Sequence, residues 1–252
     1  MQTMMKDKLK VRMLLSREEM GRAAAADCAA RLRELLAQQE YVNMIFAAAP
    51  SQNETIAALV AAPDIDWTRV RAFHMDEYVG LATGAPQTFG TYLREHIFGL
   101  VPFAAVHYLQ PDAPDAKAEC ARYGELLETY PADICCLGIG ENGHIAFNDP
   151  GVADFDDPKP VKIATLDEVC RMQQVHDGCF PTLEAVPKRA MTLTIPSLVR
   201  AKYMFCSVPG KSKRVAIRRT LTEPITADCP ATILRRHPHA ILYCDRDSSL
   251  GL

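Results

Sequence analysis

Short apolar runs of strand length alternate with helical patterns along almost the whole sequence, and this alternation restricts the fold more than any other feature. Residues 41–49 form an apolar run and residues 132–137 a run of strand-like residues, whereas residues 17–39 carry leucines and alanines at helical spacing. Strands that alternate with helices pair in parallel, because each helix returns the chain to the same edge of the sheet. The sequence therefore predicts an α/β fold, a three-layer Rossmann-like sandwich whose mostly parallel sheet has helices on both faces.

Further segments continue the same pattern up to the C-terminal tail. Strands are predicted at residues 9–15, 70–75, 106–109, 161–164, 190–195, 203–208 and 240–244, and helices at residues 54–62, 91–98, 116–129 and 211–221. Residues 111–114 and 154–160 are rich in proline and aspartate and are predicted to be surface loops. The sequence has no internal repeat and no linker-like stretch, so residues 1–252 are predicted to form a single domain.

Composition excludes several classes of protein. The 28 Lys and Arg residues against 31 Asp and Glu give a net charge of -3, which argues against a general nucleic-acid binder. No apolar run approaches the roughly 20 residues that cross a bilayer, and the N-terminus does not resemble a signal peptide. Nine cysteines without a C-x-x-C pair indicate buried thiols in a reducing compartment rather than a metal cluster. A cytoplasmic protein without a membrane or nucleic-acid partner is expected.

Polar residues cluster where predicted strands end. The loops at residues 48–55, 76–81, 138–150 and 210–213 all follow strands, and the carboxyl ends of parallel strands meet at one edge of the sheet. Together these loops supply carboxylates, one imidazole and a lysine. Carboxylates beside a histidine suit proton transfer, and backbone amides with a lysine suit a phosphate. The residue types therefore predict acid–base chemistry on a phosphorylated small molecule.

The glycines at 138, 140 and 143 also fit the G-x-G-x-x-G pattern of dinucleotide-binding proteins. Pro150 stops the helix that such a site requires, so this reading is disfavoured. Plainer interpretations exist for the other groups as well. His144 alone is typical of a structural hydrogen-bonding residue, Asp76 and Glu77 of a solvated strand end, and residues 210–213 of an ordinary helix start.

Two longer segments make the prediction specific. Residues 73–81, FHMDEYVGL, and residues 137–150, LGIGENGHIAFNDP, resemble the two signature segments of the glucosamine-6-phosphate deaminase (isomerase) family. Residues 186–195 and 237–245 resemble later segments of that family, so the resemblance extends over about residues 41–245. The 6-phosphogluconolactonases are related and share the fold, but they typically lack the string DEYVGL.

The resemblance implies an enzyme of amino-sugar catabolism that converts glucosamine 6-phosphate into fructose 6-phosphate and ammonia without a metal or an organic cofactor. Its partner is then a small sugar phosphate. Family members include monomers and hexamers, so a homo-oligomer is among the expected states. Two other functions stay open from the sequence: a 6-phosphogluconolactonase-like hydrolase, and a weakly catalytic regulator that binds sugar phosphates.

The resemblance also implies catalytic residues. By position, Asp76 is the base that moves a proton between C2 and C1, and His144 assists the opening of the sugar ring. Asp149 stands where the family usually has a glutamate that partners this histidine. Asn142 replaces the usual aspartate of a D-G-H motif, which removes a negative charge beside His144. Glu141 is the residue expected to compensate for that charge.

Binding residues follow from the same comparison of motifs. Lys213 matches a lysine that contacts the substrate phosphate, and Ser51 falls in the phosphate loop. That loop lacks the usual glycines, but Gln52 beside Ser51 can still donate hydrogen bonds. Gly143 is expected to leave room for the sugar. The arginine that commonly helps to bind phosphate falls near His176, and Arg171 is predicted to replace it.

Overall fold

The computed structural model describes residues 2–251, which form an eight-stranded sheet, a three-stranded sheet and the helices that cover them. The strands are β1 Gln2–Lys6, β2 Leu9–Met13, β3 Val42–Phe46, β4 Val70–His74, β5 Asp76–Tyr78, β6 Ala105–His107, β7 Ile134–Leu137, β8 Val161–Thr165, β9 Arg189–Leu193, β10 Tyr203–Val208 and β11 Ala240–Cys244. The helices are α1 Arg17–Leu36, α2 Asn53–Val60, α3 Phe89–Leu93, α4 Ala116–Thr129, α5 Glu168–His176, α6 Ile195–Val199 and α7 Arg214–Thr222. A π-helical turn, Arg94–Phe98, continues α3.

The large sheet has the strand order β1-β2-β11-β10-β7-β3-β4-β6. Only the β1–β2 pair is antiparallel, and all other neighbours run in parallel, which confirms the predicted topology. From β3 the chain moves outward to β4 and β6, then crosses back to β7. The order of the strands therefore reverses between β3 and β7, and ligands of such sheets bind outside the carboxyl ends of the strands at this point.

Side chains of the buried strands alternate between two hydrophobic cores. In β3, Met44 and Phe46 pack with residues of α1, α2 and α3, whereas Ile45 packs with residues of α4, α6 and α7 on the opposite face. All three side chains are completely buried, and each contributes roughly 1.5–3 kcal/mol relative to an exposed position. The predicted three layers, with helices on both faces, are thus confirmed.

Four elements were not predicted: strands β1 and β5 and helices α5 and α6. Strand β1 is mostly exposed and pairs only with β2 at the edge of the sheet, so its sequence needs no apolar run. Helices α5 and α6 are short, with nine and five residues. Strand β5 lies in a segment predicted as a loop, but it pairs antiparallel with β9, which in turn pairs with β8. Such pairing depends on tertiary contacts rather than on local sequence.

The cysteines agree with the prediction from composition. All nine are free thiols, and all of them except the half-buried Cys179 are buried. Within residues 2–251, no helix is long and apolar enough to cross a membrane.

Candidate active site

Four loops meet in one pocket at the carboxyl edge of the parallel sheet. They follow β3, β4, β7 and β10 and bring Ser51, Asp76, His144 and Lys213 to its walls. The pocket is an open cleft, and residues of all four loops line it. The convergence that the sequence analysis assumed is therefore present, at the point where the strand order reverses.

The loop after β7 is a tight turn that places the imidazole. The amide of Gly140 donates to the carbonyl of His144 over 2.9 Å, and that of Gly143 donates to Gly140 over 3.0 Å. Gly143 has a φ of 91°, and a Cβ there would lie 2.7 Å from the Cys229 sulfur. A Cβ on Gly140 would overlap the ring of His144. Both glycines are required for close packing around the histidine rather than for a nucleotide.

The His144 ring is held through its Nδ1 atom. Nδ1 lies 2.9 Å from Asn142 Oδ1 and 3.0 Å from Asp149 Oδ1, both of which are acceptors, so these partners assign the proton to Nδ1. Asn142 also accepts from the His144 amide over 3.0 Å and donates through Nδ2 to Asp149 over 2.9 Å. Nε2 of His144 is thereby left as the ring nitrogen that can exchange a proton with a ligand.

Asp149 is a buried carboxylate that this network keeps ionised. Burial alone raises the pKa of Asp149, but the hydrogen bond and charge of His144 and the Asn142 amide outweigh it, so the pKa lies below the ordinary value of 3.8. The stability that Asp149 contributes is consequently present at neutral pH and is lost as pH falls through its lowered pKa.

Replacing Asn142 tests this network. Asn142→Ala removes the donor to Asp149 and the acceptor for the His144 amide, and Asp149 stays buried. We expect the free energy of unfolding to fall by about 1–3 kcal/mol at pH 7. Urea denaturation of both proteins measures the change, with Gln38→Ala as a control at an exposed side chain. An Asn142→Ala protein as stable as the original would contradict a structural role for the amide.

Asp76 occupies a rigid position because strand β5 pairs it with Thr192 of β9. Its side chain is 7% exposed and lines the pocket. Within residues 2–251, no hydrogen bond or ion pair engages its carboxyl group. Burial, and secondly the charge of Glu77, raise the pKa of Asp76 well above 3.8. A carboxyl group of this kind is suited to accept and return a proton.

His74 and Glu77 lie next to Asp76 in the structure, and hydrogen bonds hold both of their side chains in place. His74 donates from Nδ1 to the carbonyl of Asp76 over 2.9 Å and accepts at Nε2 from the Leu109 amide over 2.9 Å. Burial lowers the pKa of His74 to about 4, so the ring is neutral at pH 7. Glu77 points away from the pocket and accepts from the amides of Phe89 and Gly90 at the start of α3. Burial raises the pKa of Glu77 to about 7 despite these donors.

The loop after β3 supplies groups that suit an anion. Ser51 lies in a 3-10 turn, Pro50–Gln52, that leads directly into α2, and helix N-termini attract anions. Gln52 is buried and donates from Nε2 to Ser51 Oγ and to the Ser207 carbonyl, each over 3.1 Å. Gln52 therefore orients Ser51, whose hydroxyl hydrogen is left for a ligand.

Lys213 supplies a positive charge to the same pocket. It lies in the 3-10 turn before α7, it is 6% exposed, and no residue within 2–251 forms an ion pair with it. Burial lowers the pKa of Lys213, whereas the negative charges of Asp177 and Glu141 act in the opposite direction. An unpaired buried ammonium group is unfavourable unless a ligand neutralises it.

One group of potential metal ligands lies in the part of the chain that the structure describes. His144, Asp149 and Cys170 offer atoms within 4.8 Å of one another. The Nδ1 atom of His144 and the Oδ1 atom of Asp149 already face each other at 3.0 Å, with a proton between them. The donor set thus fits a hydrogen-bonded relay behind the imidazole, and the Cys170 thiol lies close to it.

Known proteins that resemble this chain identify its family. The sequence model of the family described as glucosamine-6-phosphate isomerases/6-phosphogluconolactonase matches residues 15–242. The chain belongs to this family. A member from Listeria welshimeri, named glucosamine-6-phosphate deaminase, is 36% identical over 208 residues, which are 82% of this chain and 87% of that protein. A protein of the same name from Lactobacillus delbrueckii subsp. bulgaricus is 33% identical over 187 residues, 74% of this chain and 78% of its own length.

Solved structures of the family share the fold. A monomeric glucosamine-6-phosphate deaminase superimposes with a TM-score of 0.87 at 28% identity, and the match covers 95% of this chain and 98% of that one. A 6-phosphogluconolactonase from Thermotoga maritima superimposes with a TM-score of 0.75 at 16% identity, with 94% and 99% covered. The second likeness concerns the fold alone.

Five of the ten predicted site residues do not line the pocket: Asn142 and Asp149 hold the His144 ring through Nδ1, Gly143 packs against Cys229, and Glu141 and Arg171 face other partners. The guanidinium of Arg171 donates to the carbonyls of Leu183 and Val186, so it closes the loop after α5. The carboxylate of Glu141 lies 3.9 Å from His176 at the surface and not beside His144. Asn142, through its amide, supports Asp149 instead.

Other residues that line the pocket were not predicted. Helix α5 contributes Gln173 and Gln174, both buried. Gln173 accepts from the Glu141 amide over 2.9 Å and so joins α5 to the loop that carries His144. A pair of glutamines that a helix buries is an uncommon feature of soluble proteins, because glutamine is usually exposed. Recognising it required the position of α5, which was not predicted.

Proposed function

We propose that the protein is a glucosamine-6-phosphate deaminase, an enzyme of amino-sugar catabolism that converts glucosamine 6-phosphate, or a close amino-sugar phosphate, into fructose 6-phosphate and ammonia. The observation that carries the proposal is the shared pocket of three groups: an unpartnered buried carboxyl group, Asp76; an oriented imidazole, His144; and an unpaired buried ammonium, Lys213. Relatives at 33–36% identity are named for this activity.

Each group has a role in the proposed reaction. His144, held by Asp149 through Nδ1, takes the proton of the C1 hydroxyl at Nε2 and passes it to the ring oxygen, which opens the pyranose. The Asp76 carboxylate then removes the C2 proton of the open-chain sugar and returns it to C1, while a proton moves from the C2 amino group to the C1 oxygen. The carbon–nitrogen bond at C2 thereby becomes an imine, and addition of water releases ammonia and leaves the C2 ketone of fructose 6-phosphate.

The phosphate of the substrate is proposed to lie between Lys213 and the turn that precedes α2. The Ser51 hydroxyl and the Ser51 backbone amide donate to its oxygens, since the amides of Gln52 and Asn53 already donate within the turn. Gly138 permits this approach, because a Cβ there would lie 3.0 Å from Gln52 Nε2 and would disturb the support of Ser51. The phosphate then anchors the sugar with C1 and C2 near His144 and Asp76.

Lys213→Met tests the phosphate site. We expect the KM for glucosamine 6-phosphate to rise by about 10–100-fold, the magnitude for a lost hydrogen bond to a charged group, with a smaller change in kcat. Lys211→Met is the matched control, because Lys211 is an exposed lysine of the same turn. Steady-state ammonia release measures both variants. Equal KM values for the two variants would place the phosphate elsewhere.

The activity itself is tested by a screen of hexosamine 6-phosphates, with coupled detection of ammonia and fructose 6-phosphate. We expect turnover of glucosamine 6-phosphate. A folded protein that releases ammonia from none of the sugars, but hydrolyses 6-phosphogluconolactone, would instead be the lactonase of this family. Phosphate-site binding without any turnover would favour the regulator that the sequence left open.

We further propose that the enzyme acts as a single domain in the cytoplasm. The two sheets support the first statement, because the chain passes from β4 directly into β5 and the Leu193 amide of β9 donates to the Met75 carbonyl over 2.8 Å. The nine free thiols support the second, since a reducing compartment keeps cysteines unpaired.

A further inference from the structure

Gln174 is a buried polar side chain without a protein partner. It is 7% exposed and lines the pocket, yet no residue within 2–251 forms a hydrogen bond with its amide group. Its neighbour Gln173, in contrast, is fixed by the Glu141 amide and by Asp177. The amide atoms of Gln174 are open to the pocket, so they are placed to donate to a bound ligand.

Gln174 and Lys213 line the same pocket. Residues four and three apart on a helix share a face, so Gln174 lies between Cys170 and Asp177. The pKa of Lys213 responds to both of these flanking groups as well as to Glu141. This face of α5 is therefore the one that shares the pocket with the Lys213 side chain.

Within the described residues, Lys213 is the only lysine or arginine that lines the pocket. A phosphate monoester carries between one and two negative charges at pH 7 and has three oxygens that accept hydrogen bonds. One ammonium together with the hydroxyl and the backbone amide of Ser51 leaves part of this capacity unused. Arg171, the predicted second cation, is turned toward the Leu183 and Val186 carbonyls. A neutral donor must then complete the site.

We propose that Gln174 is a specificity-determining residue that donates its side-chain amide to the substrate phosphate next to Lys213. The site thereby recognises the phosphate with one cation and neutral donors instead of a pair of cations. This inference rests on the proposed function for its substrate, but the phosphate contact is independent of turnover and can be measured without it.

Three variants test the contact. Gln174→Glu keeps the shape of the side chain and adds a negative charge, Gln174→Met removes the donor at similar volume, and Gln38→Glu adds the same charge at an exposed glutamine. The dissociation constant for inorganic phosphate is measured by calorimetry, and KM and kcat for glucosamine 6-phosphate by ammonia release. Thermal melts establish that each variant is folded, and Gln174→Met still decides the question if the glutamate variant does not fold.

We expect Gln174→Glu to weaken phosphate binding by more than tenfold and Gln174→Met by about tenfold, with matching increases in KM and kcat changed less than threefold. Gln38→Glu should equal the original protein. Unchanged phosphate binding in both Gln174 variants would overturn the proposal. So would a glutamate variant that binds the amino sugar more tightly, because Gln174 would then contact the C2 ammonium. If the unaltered protein releases no ammonia, the proposed reaction is overturned. The phosphate measurements still decide the role of Gln174 in that case.

Discussion

Asp76→Asn is expected to lower kcat for ammonia release by about 10²–10⁴-fold, the usual contribution of a general base. Asparagine has nearly the same size and shape as aspartate, and the Asp76 carboxyl group has no hydrogen-bond partner within residues 2–251 to lose. The substitution therefore removes the proton acceptor and leaves the pocket intact. Binding of inorganic phosphate at the Lys213 end should be unchanged.

The same substitution is expected to stabilise the unliganded protein at neutral pH. Burial and the nearby charge of Glu77 raise the pKa of Asp76 in the folded state, so the folded protein binds more protons at this site than the unfolded chain does. Stability from this group is therefore present below its unfolded pKa and is lost as pH rises through the raised folded pKa. Asparagine cannot ionise, so Asp76→Asn avoids that loss.

Thermal melts across pH, together with steady-state kinetics, measure both effects. The Tm of Asp76→Asn should exceed that of the original protein at pH 8, and the difference should shrink as pH falls toward 4. Asp64→Asn serves as the control because Asp64 is exposed. Normal turnover by Asp76→Asn would exclude Asp76 as the base. Lower stability at pH 8 would show that its carboxylate has a favourable partner.

The positions of Asp76, His144, Ser51 and Lys213 could be predicted because they depend on topology. Each follows a strand of the parallel sheet, and parallel strands present their carboxyl ends at one edge whatever the details of packing. Motif resemblance then distinguished this pocket from a nucleotide site. The helical layers likewise followed from periodicity alone.

The surroundings of the pocket could not be predicted, because they depend on the direction of individual side chains. Arg171 lies on α5 close to Gln174, yet it turns to the carbonyls of Leu183 and Val186 while Gln174 lines the pocket. Sequence spacing does not distinguish these directions without the orientation of the helix. Asn142 is similar: the sequence shows a lost charge, whereas the structure shows a donor to Asp149.

Gly140→Ala is expected to reduce kcat by about 100-fold or more, although residue 140 itself has no catalytic group. The added methyl would overlap the His144 ring, so either the ring must leave its place or the turn must deform. Either movement separates Nδ1 from Asn142 and Asp149 and misplaces Nε2, and loss of a positioned acid–base group has effects of this size. Overpacking should also lower the free energy of unfolding by about 1–3 kcal/mol.

Gly151→Ala is the control that separates displacement of the His144 ring from a general loss of stability. Gly151 has a φ of 83° and open space around its Cβ position, so alanine there strains the backbone without touching His144. It should lose stability but keep kcat within a few-fold, whereas Gly140→Ala should lose both and still bind inorganic phosphate at the distant Lys213 end. If Gly140→Ala retained kcat, the imidazole would tolerate displacement and could not be the ring-opening group. The glycine turn after β7 is therefore expected to position the His144 ring, and Gly140 is expected to be as necessary for turnover as the imidazole itself.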